Sequence, residues 1–202
     1  VGNFFPFAAK IGKVSSGQDA EREELHVGPG PLGQLSVRPG PVMAASNSFS
    51  VTVRGKQSHG AQPWNGVDPI VVGSQIVIGL QTIVSRQVDV SQLPVIITVG
   101  AFQGGVRNNI IPDSVVLLGT IRTFDMNVRR EVLRRFAQTA SQIAASAGAT
   151  ARVQIDSGYL VTRNDSALTM RMTPTLRWAA GDGKLAVPGL WTASEDFSFF
   201  QD

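Results

Sequence analysis

Cysteine is absent from all 202 residues. That excludes disulfides, a thiolate metal site and a cysteine nucleophile. A chain without disulfides suits a reducing compartment, so the expected location is cytoplasmic. Histidine is nearly as scarce, with only His26 and His59. An excess of one charge is missing too: 18 basic against 15 acidic residues leave a net charge of +3. The basic residues are dispersed, apart from Arg129, Arg130, Arg134 and Arg135. On a helix those four either contact nucleic acid or form a solvated face; the second is the usual case, and no nucleic-acid partner is expected. No apolar run reaches the roughly 18 to 20 residues of a membrane span. Ile70 to Val84 comes nearest, interrupted by Gly73, Ser74, Gln75, Gly79, Gln81 and Thr82. No membrane partner is expected. The first residues, Val-Gly-Asn-Phe-Phe-Pro, lack the basic region, apolar core and cleavage site of a signal peptide. The chain begins at Val1 and not at methionine, so it reads as processed or as a piece of a longer protein.

What is present describes a globular chain with a core. The hydrophobic fraction is 43% and the charged fraction 16%, outside the range of disordered sequences. The stretch Ser58 to Ile70 holds His59 between a strand pattern and a helix start. Upstream, Phe49 to Arg54 alternates apolar and polar residues, the period of a half-buried strand. Downstream, Asp68 is a capping residue and Pro69 suits a first helical turn, where its missing amide has no acceptor to lose. His59 is thereby held in a loop between two rigid elements.

Residues 1 to 24 show no clear period and read as partly disordered or torn from a larger context. Leu25-His26-Val27 is a short apolar piece, and Gln34 to Arg38 reads as an edge strand. From Ser48 the pattern sharpens. Ser48 to Lys56 reads as a strand and Asp68 to Arg86 as a helix. That helix has two apolar stripes, Val72, Ile76, Leu80 and Ile83 on one side and Ile70, Val71, Val77 and Ile78 on another, which predicts burial on both sides. Val95 to Val99 is a strand broken by Gly104-Gly105. Asn108 to Ser114 reads as a turn-rich connection. Val115 to Phe124 is a strand with Arg122 on one face. Asn127 to Ala147 is an amphipathic helix stopped by Gly148, and Thr150 to Asp156 is a last strand. The order strand, helix, strand, strand, helix, strand is that of a ferredoxin-like βαββαβ domain, an antiparallel sheet with both helices on one face. It occupies residues 46-158. Beyond it, Asn164-Asp165-Ser166 starts a helix over Ala167 to Ala180, interrupted at Pro174, and Lys184 to Val187 is a short strand. A well-patterned centre between two weaker flanks, 1-45 and 159-202, reads as a domain inserted in a discontinuous one.

Five runs carry a family likeness: LHVGPGP, GKQSHGAQPWNGVDPI, NNIIPDS, GTIRTF and SEDFSFF. Each alone is weak; five in order and at matching spacing are specific. Together they resemble the di-zinc metallohydrolases that include aminoacylase and the glutamate-releasing carboxypeptidases, and most nearly the hippurate and indole-acetyl-amino-acid hydrolases. The likeness covers about Leu25 to Phe200. It implies an α/β metallohydrolase catalytic domain, present in part, with an inserted ferredoxin-like lid that makes a homodimer. It implies a metal-dependent amidohydrolase or peptidase that cleaves N-acyl amino acids or small peptides with zinc or manganese.

Carried over residue by residue, His26 matches a metal-ligating histidine. His59 matches the lid histidine that reaches the partner subunit's site and helps hold the oxyanion. Asn109 and Arg122 match substrate-binding residues, Arg122 as the clamp on a carboxylate. Glu195 matches the acidic residue of the late motif beside the metals. Elementary chemistry agrees with part of this. A guanidinium on an otherwise apolar strand face needs a planar anionic partner, and a lid imidazole can donate to an oxyanion. Singly, each has a plainer reading: His26 a hydrogen-bonded structural histidine, His59 a loop residue, Asn109 a turn residue, Arg122 a partner of Asp113 or Asp125, and Glu195 a cap of the following turn.

The sequence also departs from that family. A two-metal site takes about five or six protein ligands, and the branch's Cys-x-His pair is absent. The only adjacent glutamates, Glu23-Glu24, abut Leu25 and are out of register. The alternative is therefore a catalytically incomplete relative that dimerises and binds carboxylates, possesses no bound metal and hydrolyses nothing.

Overall fold

A computed structural model describes residues 7–13, 21–27 and 31–201, the first two stretches by their backbone alone. The chain divides into two units, Val1–Ala45 with Tyr159–Asp202, and Ser46–Gly158. The first unit opens with β1 (Phe7–Lys13) and β2 (Glu21–Val27), an antiparallel pair that places Ala8 opposite His26. β3 (Leu35–Ser36) runs parallel to β1, and β4 (Gly40–Met43) follows.

The second unit begins in β5 (Ala45–Arg54), then β6 (Ser58–His59), α1 (Pro69–Arg86), β7 (Ile96–Gly104), β8 (Ile110–Ile111), β9 (Ser114–Thr123), α2 (Met126–Ser146) and β10 (Thr150–Ile155). The chain closes in the first unit with β11 (Thr162–Asn164), α3 (Ser166–Ala180) and β12 (Leu185–Ala186).

The four-stranded sheet of the second unit has the order β10-β5-β9-β7. The fourth strand, first, third and second lie side by side, which is the ferredoxin-like order expected from the sequence. Alternation decides which side is buried. On β5, Phe49, Val51 and Val53 face inward, and on β9 Val115, Leu117 and Ile121 do. Val72, Ile76, Leu80 and Ile83 of α1 and Val132, Phe136, Ala140 and Ala144 of α2 close over that face. The rings of Phe49 and Phe136 lie 4.5 Å apart. Full burial of one such side chain contributes about 1.5–3 kcal/mol. The helices approach closely because Gly79 has no side chain: a Cβ there would meet Ile143 Cδ1 at 2.5 Å.

Both helices start on a designed cap. Asp68 Oδ1 accepts the amides of Ile70 and Val71 at 2.8 and 3.3 Å, and Asp125 Oδ1 those of Asn127 and Val128 at 2.8 and 3.0 Å. α2 stops where Gly148 turns to φ 73°, a region that favours glycine. The second stripe of α1 is not covered within the described chain: Val71 is 53% and Ile78 70% exposed. By length and mean hydropathy α1 would suffice for a membrane span, but its Val72 stripe packs into the core and its remaining face carries Ser74, Gln75, Gln81, Thr82 and Ser85.

The first unit corrects two expectations. Part of residues 1–24, read as patternless, forms the β1–β2 pair. Glu21-Arg22-Glu23-Glu24 has low strand propensity, and pairing overrides it. Gln34 to Arg38, read as an edge strand, is interior: β3 lies between β1 and β12 in the order β12-β3-β1-β2. The short β4–β11 pair was not foreseen either. α3 is capped by Asp165, whose Oδ1 accepts the Leu168 amide at 2.8 Å, and contains Pro174 as expected.

Candidate functional site

The loop between β5 and α1 is fixed by a ladder that the sequence concealed. β6 pairs antiparallel with β8, His59 opposite Ile110 and Ser58 opposite Ile111. The Gly60 amide extends it, donating to the Asn109 carbonyl at 2.8 Å. His59 and Asn109 are thus brought side by side, both exposed. Asn108 to Ser114 is therefore more than a connection. The signal that could have found the ladder is the β-branched pair Ile110-Ile111 between Asn-Asn and Pro-Asp turn residues.

His59 is also held in a defined tautomer. Its Nδ1 accepts the Ala61 amide at 3.1 Å, so in the neutral ring the proton sits on Nε2. Nε2–H is then the ring's one donor, and a neutral ring of this tautomer can donate it to an anionic oxygen. Lys56 and Val67 exchange backbone hydrogen bonds at 2.9 and 3.0 Å and close the loop's base.

Arg122 is elsewhere. It is half-buried near the end of β9, opposite Ile96 of β7, on the face away from the helices. The His59 ladder hangs from the other end, where the Gly55 amide donates to the Asp113 carbonyl at 2.9 Å just before β9 begins. Ser114 and Arg122 are eight residues apart on one extended strand, roughly 26 Å at about 3.3 Å per residue. The structure brings His59 and Asn109 together and separates both from Arg122. The extended strand between Asn109 and Arg122 sets their distance.

His26 and Glu195 belong to the first unit. His26 stands on β2 opposite Ala8, and its side chain lies outside the described residues. Glu195 caps the 3₁₀ turn Asp196–Phe200, its Oε1 accepting the Asp196 amide at 3.1 Å. Among the described residues no three His, Asp or Glu side chains gather to hold a metal. The chain has no cysteine, and the described residues do not by themselves make up a two-metal centre.

The arginine cluster of α2 resolves into local pairs. Glu131 takes Arg134 at 2.8 Å and Arg135 at 2.6 Å, and these hydrogen bonds, Arg134's first, hold its carboxyl down at about 2. Arg129 donates from Nε to Asn47 Oδ1 at 2.9 Å.

The fold and the ladder define a class. The profile of the peptidase dimerisation domain matches residues 45–147, and the chain belongs to that M20 peptidase family. Over 171 residues, 84% of this chain, it is 44% identical to the N-acetyl-L-cysteine deacetylase of Bacillus subtilis, of which it covers 40%. It is 34% identical over 174 residues, 84% of this chain, to the IAA-amino acid hydrolase ILR1-like 4 of Arabidopsis thaliana, covering 39% of it. Among solved structures, a dinuclear metal binding peptidase of the M20 family from Bacillus subtilis superposes with a TM-score of 0.66 at 27% identity, over 85% of this chain and 42% of that one. The chain thus spans about two fifths of the length of these relatives.

Proposed function

We propose that this chain is the lid-bearing part of a metal-dependent amidohydrolase that cleaves the amide bond of N-acyl amino acids or small peptides, with zinc or manganese as the metal. Residues 1–45 and 159–202 are then parts of its catalytic domain, and residues 46–158 are a lid inserted between them. His26 and Glu195 belong to the metal side of the site. The metal would supply the activated water; this chain's described residues supply the rest. His59 donates Nε2–H to the oxygen that gains charge. Arg122 holds the substrate carboxylate in a two-pronged pair, and Asn109 orients the amide end.

The observation that carries this reading is the distance along β9. A small substrate cannot touch His59 and Arg122 of the same chain when roughly 26 Å of extended strand separates them. It can touch Arg122 of one copy and His59 with Asn109 of another. A homodimer through the lid supplies that arrangement. The surface for it is the uncovered stripe of α1, with Ile70, Val71 and Ile78, beside the edge strand β7, where Phe102 is exposed. Apolar exposure next to an unpaired strand edge favours self-association.

Complementation tests it. His59→Ala and Arg122→Ala proteins should each lose most hydrolysis of N-acetyl amino acids in the presence of zinc or manganese. Mixed and allowed to exchange subunits, they should recover roughly a quarter of wild-type activity, because half the dimers are mixed and each holds one intact site. No recovery in demonstrably mixed dimers would place both residues in one chain's site. A second reading follows from the described residues, which do not by themselves make up a two-metal centre: the chain dimerises and binds carboxylates without hydrolysis. Wild-type protein that dimerises but stays inactive with added zinc or manganese would favour it.

A further inference from the structure

A cavity of about 390 Å³ opens beside the His59 ladder, within the second unit. Its walls include Gln57, Arg107, Ile110, Pro112, Asp113 and Ser114. The volume lies at the small end of ligand sites, the size of one amino acid more than of a peptide. Ile110 is the residue directly opposite His59 on the ladder, and directly opposed residues share a face. The cavity therefore lies along the His59 side of the ribbon.

Its lining carries one charge of each sign. Arg107 contributes a guanidinium and Asp113 a carboxylate, and among the described residues the two form no ion pair with each other. Asp113 is held from two sides. Its carbonyl accepts the Gly55 amide at 2.9 Å, and its Oδ1 accepts the Ser114 hydroxyl at 2.8 Å. Oδ2 remains to accept from a cation. Ile110 and Pro112 add an apolar wall, and Gln57 an amide.

These charges select a ligand class. A dicarboxylate would satisfy Arg107 and be repelled by Asp113. An amine would do the reverse. An N-acyl amino acid would satisfy Arg107 and leave Asp113 unpaired. A free α-amino acid presents a carboxylate and an ammonium on one carbon, and an aliphatic side chain suits the Ile110–Pro112 wall. We propose that this cavity binds a free aliphatic α-amino acid as its zwitterion. The site differs from the substrate contacts assigned to His59, Asn109 and Arg122, and binding there needs neither metal nor turnover. Both charges are exposed, and exposed pairs are weak, so the dissociation constant is on the order of millimolar.

The test is a titration of the isotope-labelled 202-residue protein, without metal, with L-leucine and with N-acetyl-L-leucine, followed by amide resonances. Leucine should shift Gln57, Ile110 and Ser114 in a saturable way, and N-acetyl-leucine should bind roughly tenfold more weakly. Arg107→Gln should weaken leucine binding roughly tenfold, with the other resonances unchanged. Asp113→Asn should weaken leucine and erase its advantage over the acetylated form. Absence of saturable shifts at these residues, equal binding of the two ligands, or unchanged affinity in either variant would overturn the proposal. Because no step uses hydrolysis, these outcomes are separate from failure of the amidohydrolase reading.

Discussion

The two units of this chain solve the same problem with different resources. Residues 46–158 bury one continuous cluster in which both helices and all four strands take part, from Phe49 to Ala149. Among the described residues the other unit gathers a smaller cluster, Val37 and Leu168 with Met172, Leu176 and Leu185 packed around them, and two of its strands are two residues long. A long alternating strand and an amphipathic helix each present a whole face to the core. A two-residue strand presents one side chain, so its place is set by neighbours from distant parts of the chain.

Core truncation should expose that difference most strongly. Phe136→Ala removes a fully buried ring packed at a tilt against Phe49, and the expected loss is about 3–5 kcal/mol. Leu168→Ala removes a buried side chain from a smaller cluster that can close around the gap, so about 2 kcal/mol is expected, the low end for such changes. Chemical denaturation measures both. Equal losses would mean that the small cluster is packed as rigidly as the large one, and the contrast between the units would fail.

The exit of the second unit is a finer test. Gly158 adopts φ 50°, and a Cβ on it would run into the Ser46 carbonyl. Asn47 ties the same corner by donating to the Asp156 and Ser157 carbonyls. Gly158→Ala should cost about 1–3 kcal/mol. A melting temperature unchanged from wild type would show that the corner yields freely.

The smallest effect is electrostatic and lies on the outer face of α2. The Glu131 carboxyl is held at about 2 against an ordinary 4.5, chiefly by Arg134 and then Arg135. A depressed folded value means that its contribution is complete above about 4.5 and is lost as pH falls towards 2. The gap in stability between wild type and Glu131→Gln should shrink over that window and vanish below it. Its size stays small because the pair is exposed. A Glu131 side-chain titration centred near 4.5 would refute the pairing.

Much of the second unit was legible because its signals are local. Asp68 before Pro69 announces α1, Gly148 announces the end of α2, and the alternation on β9 names its buried face without knowledge of what covers it. Part of the candidate site was legible too: the five runs pointed to His59, Asn109 and Arg122. The β6–β8 ladder was not, since a two-residue strand has no period to detect and Asn108-Asn109 reads first as a turn. Residues 1–24 failed for the opposite reason: Glu21 to Glu24 look unlike a strand and become one through partners.

The sequence by itself determined the helices, their caps, the faces of the long strands and the family, because hydrophobic period and capping act within a few residues of each other. The tertiary structure alone decided where the candidate residues stand. It set His59 against Ile110, clasped Asn109 to Gly60 beside the start of β9, and put Arg122 near the other end of β9. Register and strand length fix those distances, and both arise from pairing between segments distant in the sequence, which no local pattern encodes.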